Sequence, residues 1–265
     1  TKSNLDIVLV NVGGTRKQVY QDLSKVFSAI DTPFWAALTA GYLRNKGFNV
    51  NILDANALNL DFDETVEALV TAKPKNVAIV CYSQQANVSA PIMVAVGQLC
   101  RKIKNKMPET KLILTGWHPS ALPERTLREE ECDILVKGEG FRSLADLLSG
   151  KNYSQIPGLW WKDGTEIKHG LAAENIKDLT AELPDVAWDL LPMDRYRAFS
   201  WMCLRDFSER TKFASIFTSL GCPYKCSFCA IHATYGEHKI RYWSPEWVLK
   251  QIDILVQNYG VRHIN

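Results

Sequence analysis

The sequence lacks features that would place it in several common classes of protein. No apolar run in its 265 residues approaches the roughly 20 residues that a membrane-spanning helix needs. The opening TKSNLDIVLV does not have the layout of a signal peptide. The 31 basic and 29 acidic residues are interleaved and leave a net charge of only +2, so no electrostatic footprint for nucleic acid is present. These absences predict a cytoplasmic protein with no membrane span and no nucleic-acid partner.

Cysteine usage argues against a disulfide framework. The seven cysteines are an odd number and no secretory signal accompanies them, which favours free thiols or a metal site. Cys81, Cys100 and Cys132 are scattered over separate predicted elements and are interpreted as small buried hydrophobic residues. The remaining pattern of interest is SLGCPYKCSFCAIHATYG, which places three cysteines within eight residues.

The first half of the chain alternates strand-like and helix-like segments. Apolar runs with a strand pattern are separated by helical stretches with suitable caps, such as PFWAALTAGYLRNKG and FDETVEALVTAK. This alternation predicts an α/β domain with a doubly wound, five-stranded, Rossmann-like parallel sheet and right-handed crossovers. The five predicted strands are 6–12, 48–55, 76–83, 111–116 and 133–138.

In such a sheet a ligand binds in the crevice at the carboxyl ends of the strands, where the strand order reverses. Four loops are expected to line this crevice. Their glycines would let a bulky ligand approach the backbone closely, although tight turns alone would also explain them. The four loops are 11–14, 82–85, 116–119 and 138–140.

Two domains joined by a linker are predicted along the chain. Residues 1–150 form the first, and 151–212 form a linker that contains a small hairpin with Asp163 and Gly164 at its turn. Residues 213–265 read as the start of a second domain, a (β/α) barrel of the TIM type that is incomplete in this sequence. Four tryptophans of the linker are expected to anchor it by packing: Trp160, Trp161, Trp188 and Trp201.

The three clustered cysteines follow a predicted strand, FASIFTSLG, and precede a predicted helix, SPEWVLKQIDILVQNYG. This helix is predicted to have Ser244 as its N-cap, Pro245 at its first position and Gly260 as its C-terminal stop. The three cysteines could bind zinc together with His232 as a Cys3His set. They could also hold three irons of a four-iron cluster and leave the fourth iron open. The position at the carboxyl end of a strand favours the cluster, since active sites of β/α barrels lie there.

The loop GCPYKCSFCA resembles the CxxxCxxC loop of the radical S-adenosylmethionine superfamily. The segments LTGWHPSALPE, VKGEG, IPGLWWKDGTEI, LPDVAWDLLPMDRY and RYWSPEWVLKQIDILVQNYGVRHIN are similar, in this order, to segments of its cobalamin-dependent branch. The resemblance covers nearly the whole chain. It implies that Cys222, Cys226 and Cys229 ligate a 4Fe-4S cluster whose open iron binds S-adenosylmethionine, with Phe228 near the adenine.

The resemblance also implies that cobalamin lies in the crevice of the first domain. Corrinoid shuttle proteins carry an Asp-x-His-x-x-Gly motif after the first strand, and this chain has NVGGTRKQ instead. Cobalamin is therefore expected with its tail base off the metal and with no histidine in its place. The expected cobalamin contacts are Asn11, Gly13, Gly14, Ser83, Gln84, Gln85, Gly116, Trp117, His118, Gly138, Glu139 and Gly140, with His118 also explicable as a packing residue.

The implied activity is methyl transfer from methylcobalamin to an unactivated carbon through a deoxyadenosyl radical. A cobalamin-dependent cyclase or rearrangement enzyme is the alternative within the same branch, and a cobalamin- or zinc-binding module without catalysis is the alternative of another class. The implied partners are a small-molecule or peptide substrate and an electron donor such as flavodoxin or ferredoxin. No residue is identified here as a catalytic acid or base.

Overall fold

The computed structural model describes residues 5–13, 28–82, 89–198 and 212–265. Its main sheet begins with five parallel strands in the order β2-β1-β3-β4-β5. This order confirms the predicted doubly wound α/β fold, because the chain reverses direction between β1 and β3. The strands are β1 (Ile7–Asn11), β2 (Val50–Asp54), β3 (Asn76–Cys81), β4 (Lys111–Gly116) and β5 (Ile134–Val136).

Helices cover both faces of this sheet. Along β1, Ile7 and Leu9 belong to one hydrophobic cluster, and Val8 and Val10 belong to another on the opposite face. A strand buried on both faces needs apolar side chains at successive positions, which explains the continuous run IVLV. No helix in the described part of the chain is long and apolar enough to cross a membrane. The helices are α1 (Phe34–Asn45), α2 (Phe62–Ala72), α3 (Ser89–Lys106), α4 (Trp117–Ala121), α5 (Pro123–Glu129) and α6 (Phe141–Leu148).

The predicted hairpin extends this sheet. Strands β6 (Leu159–Asp163) and β7 (Glu166–His169) are antiparallel, and β6 pairs with β5, so the sheet has seven strands. The prediction of five strands was therefore short by two. It assigned the hairpin to the wrapping linker, whereas the open edge of β5 offers backbone partners that β6 takes up.

The segment after the hairpin continues through the short helix α7 (Leu179–Glu182) and packs against α1. Trp188 is 2% exposed, and its ring lies 5.8 Å from that of Phe34 on α1. Trp188 is thus a packing anchor. Trp160 and Trp161 lie in β6, where they pair with Leu135 and Ile134 of β5. Trp201 lies outside the described residues.

The C-terminal part forms one strand–helix–strand unit and a small antiparallel pair. Strand β8 (Phe213–Ala214) pairs in parallel with β11 (His263–Ile264), and β9 (Ser219–Gly221) pairs with β10 (Ile240–Tyr242). The predicted single strand FASIFTSLG is therefore two short strands, β8 and β9. Helices α8 (Ile231–Tyr235) and α9 (Pro245–Tyr259) complete this part, which shows no closed barrel within the described ranges.

The caps predicted for α9 are confirmed. Ser244 is the N-cap, and its side chain accepts a hydrogen bond from the Trp247 backbone N–H at 3.2 Å. Pro245 occupies the first helical position, and Gly260 ends the helix in a left-handed conformation. The Ser244 side chain and the Gly260 N–H satisfy backbone groups that the helix leaves without a partner. Pro245 fits the first position because it lacks an N–H, which would have no partner within the helix there.

Candidate cofactor-binding sites

The three-cysteine loop joins β9 to α8. Cys222 directly follows β9, and the Cys229 backbone N–H donates to the Cys226 carbonyl at 3.1 Å, which tightens the loop. All three thiols are free, with Cys226 exposed and the other two half-buried. The loop therefore presents three open thiols at the carboxyl end of a strand, as predicted.

These thiols fit a cluster better than a single metal ion. Each cysteine of such a cluster binds a different iron, so the three sulfurs need not converge on one point. In the described part of the chain, no group of three or more His, Cys, Asp or Glu side chains is arranged to hold one ion. His232, the fourth ligand of the zinc alternative, has Nε2 at 2.6 Å from the Tyr224 carbonyl oxygen and 3.0 Å from Nδ1 of His238.

Two large aromatic side chains of this loop are open to solvent. Phe228 is 78% exposed and Tyr224 is 71% exposed. Exposed aromatic rings are costly unless a ligand or further protein covers them. Phe228 is thus accessible to an adenine ring, and its contact with S-adenosylmethionine stays a prediction.

The other cysteines among the described residues have a different environment, and Cys203 lies outside those residues. Cys81 and Cys100 are fully buried, and Cys132 is 2% exposed, all in the hydrophobic cluster beneath α2 and α3. Burial raises the pKa of the Cys132 thiol to about 12, which keeps it protonated and unreactive. The expectation that these three residues act as small hydrophobic groups is supported.

A buried polar network lies at the carboxyl ends of β1 and β2. Asn11 Nδ2 donates to Asp54 Oδ1 at 2.8 Å, and the Tyr196 hydroxyl donates to Asp54 Oδ2 at 2.7 Å. Asp54 is 1% exposed, and its burial raises the pKa of its carboxyl group. Asn11 was predicted from its position. The sequence analysis did not identify Tyr196 or Asp54. Asp54 could have been identified, because it is an acidic residue at the end of a predicted strand.

The glycines of the predicted crevice serve different purposes. A Cβ on Gly13 would lie 2.6 Å from the Ala55 carbonyl oxygen, and one on Gly116 would lie 2.3 Å from the Cys81 carbonyl oxygen. At these two positions the close approach is made by the protein's own backbone. At Gly138, by contrast, the nearest atom to an added Cβ is 3.6 Å away. Gly14, Ser83, Gln84 and Gln85 lie outside the described residues.

An aromatic cluster connects the crevice edge to the helix that follows the cysteine loop. Tyr82, which directly follows β3, stacks on Trp35 with ring centroids 4.2 Å apart. Trp117, which follows β4, lies 5.0 Å from Tyr82. Tyr235 of α8 approaches Trp117 edge-on at 5.5 Å. The predicted cobalamin loops and the cysteine loop are therefore brought to the same region of the molecule.

His118 lies on α4 beside this region and is half-buried. Burial lowers the pKa of its imidazole, with the nearby Arg125 charge contributing in the same direction. Its ring is therefore neutral at pH 7.

Glu139 is engaged by the protein on both carboxylate oxygens. Oε1 pairs with the Arg241 guanidinium of β10, and Oε2 accepts from the Ile176 backbone N–H at 2.8 Å. Gly140, in the left-handed region at φ 84°, forms the N-terminal end of α6 next to it. The predicted role of Glu139 as a cobalamin contact competes with these bonds, whereas Gly138 and Gly140 remain at the crevice edge.

Comparison with known protein families identifies the first domain. Residues 20–148 match the model of the B12 binding domain, B12 being cobalamin. This match covers strands β2 to β5, helices α1 to α6 and the crevice loops 82–85, 116–119 and 138–140. It begins after β1 and the crevice loop 11–14.

Curated relatives resemble most of the chain. An uncharacterized methyltransferase of Pyrococcus horikoshii is 30% identical over 247 residues, which are 91% of this chain and 50% of the relative. The anaerobic magnesium-protoporphyrin IX monomethyl ester cyclase of Cereibacter sphaeroides is 25% identical over 238 residues, 86% of this chain and 36% of the relative. The hopanoid C-3 methylase of Methylococcus capsulatus is 27% identical over 236 residues, 86% of this chain and 41% of the relative. The chain thus spans half or less of the length of these curated relatives.

Two solved structures share the fold over nearly the whole chain. The radical S-adenosylmethionine methyltransferase TsrM of Kitasatospora setae matches 98% of this chain and 46% of its own, with a TM-score of 0.67 at 19% identity. TsrM has also been solved with cobalamin and a 4Fe-4S cluster bound. The cobalamin-dependent S-adenosylmethionine radical enzyme OxsB matches 97% of this chain and 33% of its own, with a TM-score of 0.68 at 20% identity. At these identities the likeness establishes the fold.

Proposed function

We propose that this protein, which carries a B12-binding domain and has the fold of cobalamin-dependent S-adenosylmethionine radical enzymes, methylates an unactivated carbon of a small-molecule or peptide substrate. The observation that carries the proposal is the contact between Trp117, at the edge of the B12-binding domain, and Tyr235, on the helix that follows the three-cysteine loop. A reaction that uses both cofactors requires their sites to be neighbours, and this contact brings them together.

The residues divide between the two cofactors. Cys222, Cys226 and Cys229 would hold a 4Fe-4S cluster, with Phe228 beside the adenine of S-adenosylmethionine. The loops after β1, β3, β4 and β5 would hold cobalamin. When bound, the cluster and S-adenosylmethionine would supply a deoxyadenosyl radical and cobalamin would supply the methyl group. The protein's own contribution is to orient the two cofactors and to exclude water through its buried aromatic cluster. An external donor such as flavodoxin or ferredoxin would deliver the electron.

Methylation is supported by two curated relatives, which are named as methyltransferase and methylase, and by the structural neighbour TsrM, which is a methyltransferase. Two further curated relatives, of Cereibacter sphaeroides and Rubrivivax gelatinosus, are named as cyclases. The proposal specifies the substrate by the unactivated carbon that receives the methyl group.

Anaerobic reconstitution of the full-length protein with iron, sulfide and hydroxocobalamin tests the two-cofactor proposal. We expect about four irons and one corrin per chain, the content of a single four-iron cluster and a single B12-binding domain. Cys226→Ala should lose iron and keep the corrin. Gly138→Phe, which places a ring at the crevice edge, should lose the corrin and keep the iron.

Cys132→Ala is the matched control for the cysteine variant. It removes a thiol from the core of the B12-binding domain and should leave iron and corrin contents unchanged. Zinc in place of iron, together with no retained corrin, would contradict the enzyme proposal and favour a metal-stabilised binding protein.

The cyclase relatives support a second candidate, an enzyme of the same group that closes a ring without methylation. Methyl-labelled S-adenosylmethionine distinguishes the two. Label in a carbon of the product selects methylation, whereas deoxyadenosine formed with an unlabelled, dehydrogenated product selects cyclisation.

A further inference from the structure

A buried ion pair joins the B12-binding domain to the part of the chain that carries the cysteine loop. Arg241 of β10 donates from Nη2 to Glu139 Oε1 and from Nη1 to the Ile176 carbonyl. The Arg241 and Glu139 side chains are only 16% and 4% exposed. Three segments distant in sequence are thus held at one point: the turn after β5, the linker and β10.

Arg241 lies beside both ends of the cysteine loop. In the antiparallel pairing of β9 and β10, Arg241 is opposite Leu220, two residues before Cys222. At the other end of the loop, the Tyr235 ring of α8 lies 5.6 Å from the Arg241 guanidinium carbon. A displacement of Arg241 would therefore shift the entry and the exit of the loop together.

Glu139 is fixed just as firmly to the crevice edge. The neighbouring Gly138 donates its N–H to Ser120 Oγ at 3.1 Å and accepts from the Tyr82 hydroxyl at 2.9 Å. Tyr82 directly follows β3, and Ser120 lies on α4, which follows β4. The turn that carries Glu139 is thereby tied to two of the strand ends that form the crevice.

We propose that Glu139 and Arg241 are positioning residues whose ion pair sets the distance between the cobalamin crevice and the cluster loop. This inference rests on the proposed function. The planar guanidinium fork binds two oxygens in a fixed geometry, so the pair defines an orientation as well as a contact. Removing one partner leaves a buried charge without its counterion, which the structure must relieve by moving.

The test compares the reconstituted full-length wild type with Glu139→Gln and Arg241→Lys. Gln keeps the shape of Glu and removes its charge; Lys keeps the charge of Arg and cannot make both bonds. Asp189→Asn is the matched control, because it breaks the ion pair between the linker and Arg44 of α1, which is exposed and lies on another part of the surface. Corrin and iron contents are measured first and should be the same in all four proteins.

Pulsed electron paramagnetic resonance then measures the distance between cob(II)alamin and the reduced cluster. We expect a shifted or broadened distance distribution in both Glu139→Gln and Arg241→Lys, and the wild-type distribution in Asp189→Asn. A residue that only supported the fold would lower cofactor content without changing this distance in the loaded molecules.

A partial reaction gives a second readout. With titanium(III) citrate as the reductant, bound cobalamin would accept the methyl group of S-adenosylmethionine and leave S-adenosylhomocysteine, whose sulfur would keep the electron pair of the broken bond. The rate of methylcobalamin formation, followed by absorbance, should fall on the order of 10- to 100-fold in the two variants, as expected for a displacement of the order of 1 Å.

Three results would overturn the inference. An unchanged distance and rate in both variants would show that the pair does not set the separation. Loss of both cofactors in both variants would assign the pair to fold maintenance. A wild type that binds no corrin or no iron would instead refute the proposed function, and the inference would fail with it.

Discussion

Asp31 carries a buried carboxylate at the junction between the B12-binding domain and β8. Its Oδ1 is buried and has no hydrogen-bond partner among the described residues, while the adjacent Thr32 hydroxyl bonds both the N–H and the carbonyl of Ser215. Burial raises the pKa of Asp31 from 3.8 to about 6, the negative charge of Asp54 adds to this rise, and hydrogen bonds from Ser215 and Thr32 oppose it. The folded protein therefore holds the proton of the Asp31 carboxyl group more tightly than the unfolded chain does.

This raised pKa predicts the pH dependence of an Asp31→Asn variant. The contribution of the protonated carboxyl to stability is complete below about pH 4 and is lost as the pH rises through about 6, a change on the order of 3 kcal/mol. We therefore expect the melting temperature of Asp31→Asn to rise relative to wild type between these pH values and the difference to stay constant above about pH 7. Thermal unfolding across this range measures it.

The exposed Asp253 on α9 supplies the control for that measurement. Asp253→Asn makes the same substitution on the protein surface and reports the effect of the asparagine itself. A difference between Asp31→Asn and wild type that is independent of pH would contradict the raised pKa.

At the scale of elements, the crevice edge depends on the close approach of β3 and β4. Gly116, the last residue of β4, has φ of 142°, and a Cβ there would meet the Cys81 carbonyl carbon at 2.5 Å as well as its oxygen. Both the backbone conformation and the space thus require glycine, and non-glycine residues in this region cost about 1–3 kcal/mol each. The Thr115–Gly116 end of β4 fixes the position at which α4 begins with Trp117.

Gly116→Ala is expected to weaken cobalamin binding as well as stability. The added methyl group would force β3 and β4 apart at the crevice, so we expect the dissociation constant for hydroxocobalamin to rise on the order of tenfold or more, given strain of this size. Absorbance titration of the full-length protein measures it.

Gly164→Ala is the matched control for the loss at Gly116. Gly164 also has a positive φ, 63°, at the hairpin turn, and no heavy atom lies within 4 Å of an added Cβ. Gly164→Ala should introduce backbone strain without the steric clash that Gly116→Ala causes, and it should bind hydroxocobalamin as the wild type does. Equal binding by both variants would show that the crevice does not depend on the β3–β4 approach.

At the scale of the whole molecule, one hydrophobic cluster joins the first domain, the linker and the C-terminal part of the chain. It contains Phe34 of α1, Leu183 and Trp188 of the linker, and Trp247 and Leu255 of α9. The Trp188 indole N–H donates to Gln251 Oε1 at 2.9 Å inside this cluster. A core shared in this way predicts that the segments unfold together, although the domain boundaries themselves stay a prediction.

Gln251→Leu tests this cooperativity. The variant leaves the Trp188 N–H buried without a partner, at an expected cost of about 1–3 kcal/mol. We expect the whole unfolding transition to move to lower denaturant concentration, with tryptophan fluorescence and far-UV circular dichroism changing together.

Gln257→Leu makes the same substitution at an exposed position of the same helix and should leave the transition in place. Separation of the Gln251→Leu curve into two transitions would show that the C-terminal part unfolds independently and would contradict the shared core.

Much of the fold and part of the candidate site could be predicted from the sequence. The five parallel strands and the caps of α9 follow local rules of periodicity and backbone hydrogen bonding, and the structure confirms them. The placement of the hairpin was not predictable in the same way. The strand pattern of Leu159–Asp163 shows that a strand forms, and it carries no information about which sheet edge that strand will join.

The alternation of strands and helices and the three-thiol loop follow from local sequence, because they depend on residues close together in the chain. The pairing of Glu139 with Arg241, 102 residues away, and the bond from Tyr196 to Asp54, 142 residues away, arise only when distant segments pack together. The approach of the Cys81 backbone, rather than of a ligand, to Gly116 arises in the same way. Contacts between distant segments leave no local pattern, since many folded arrangements are compatible with the same short stretches of sequence.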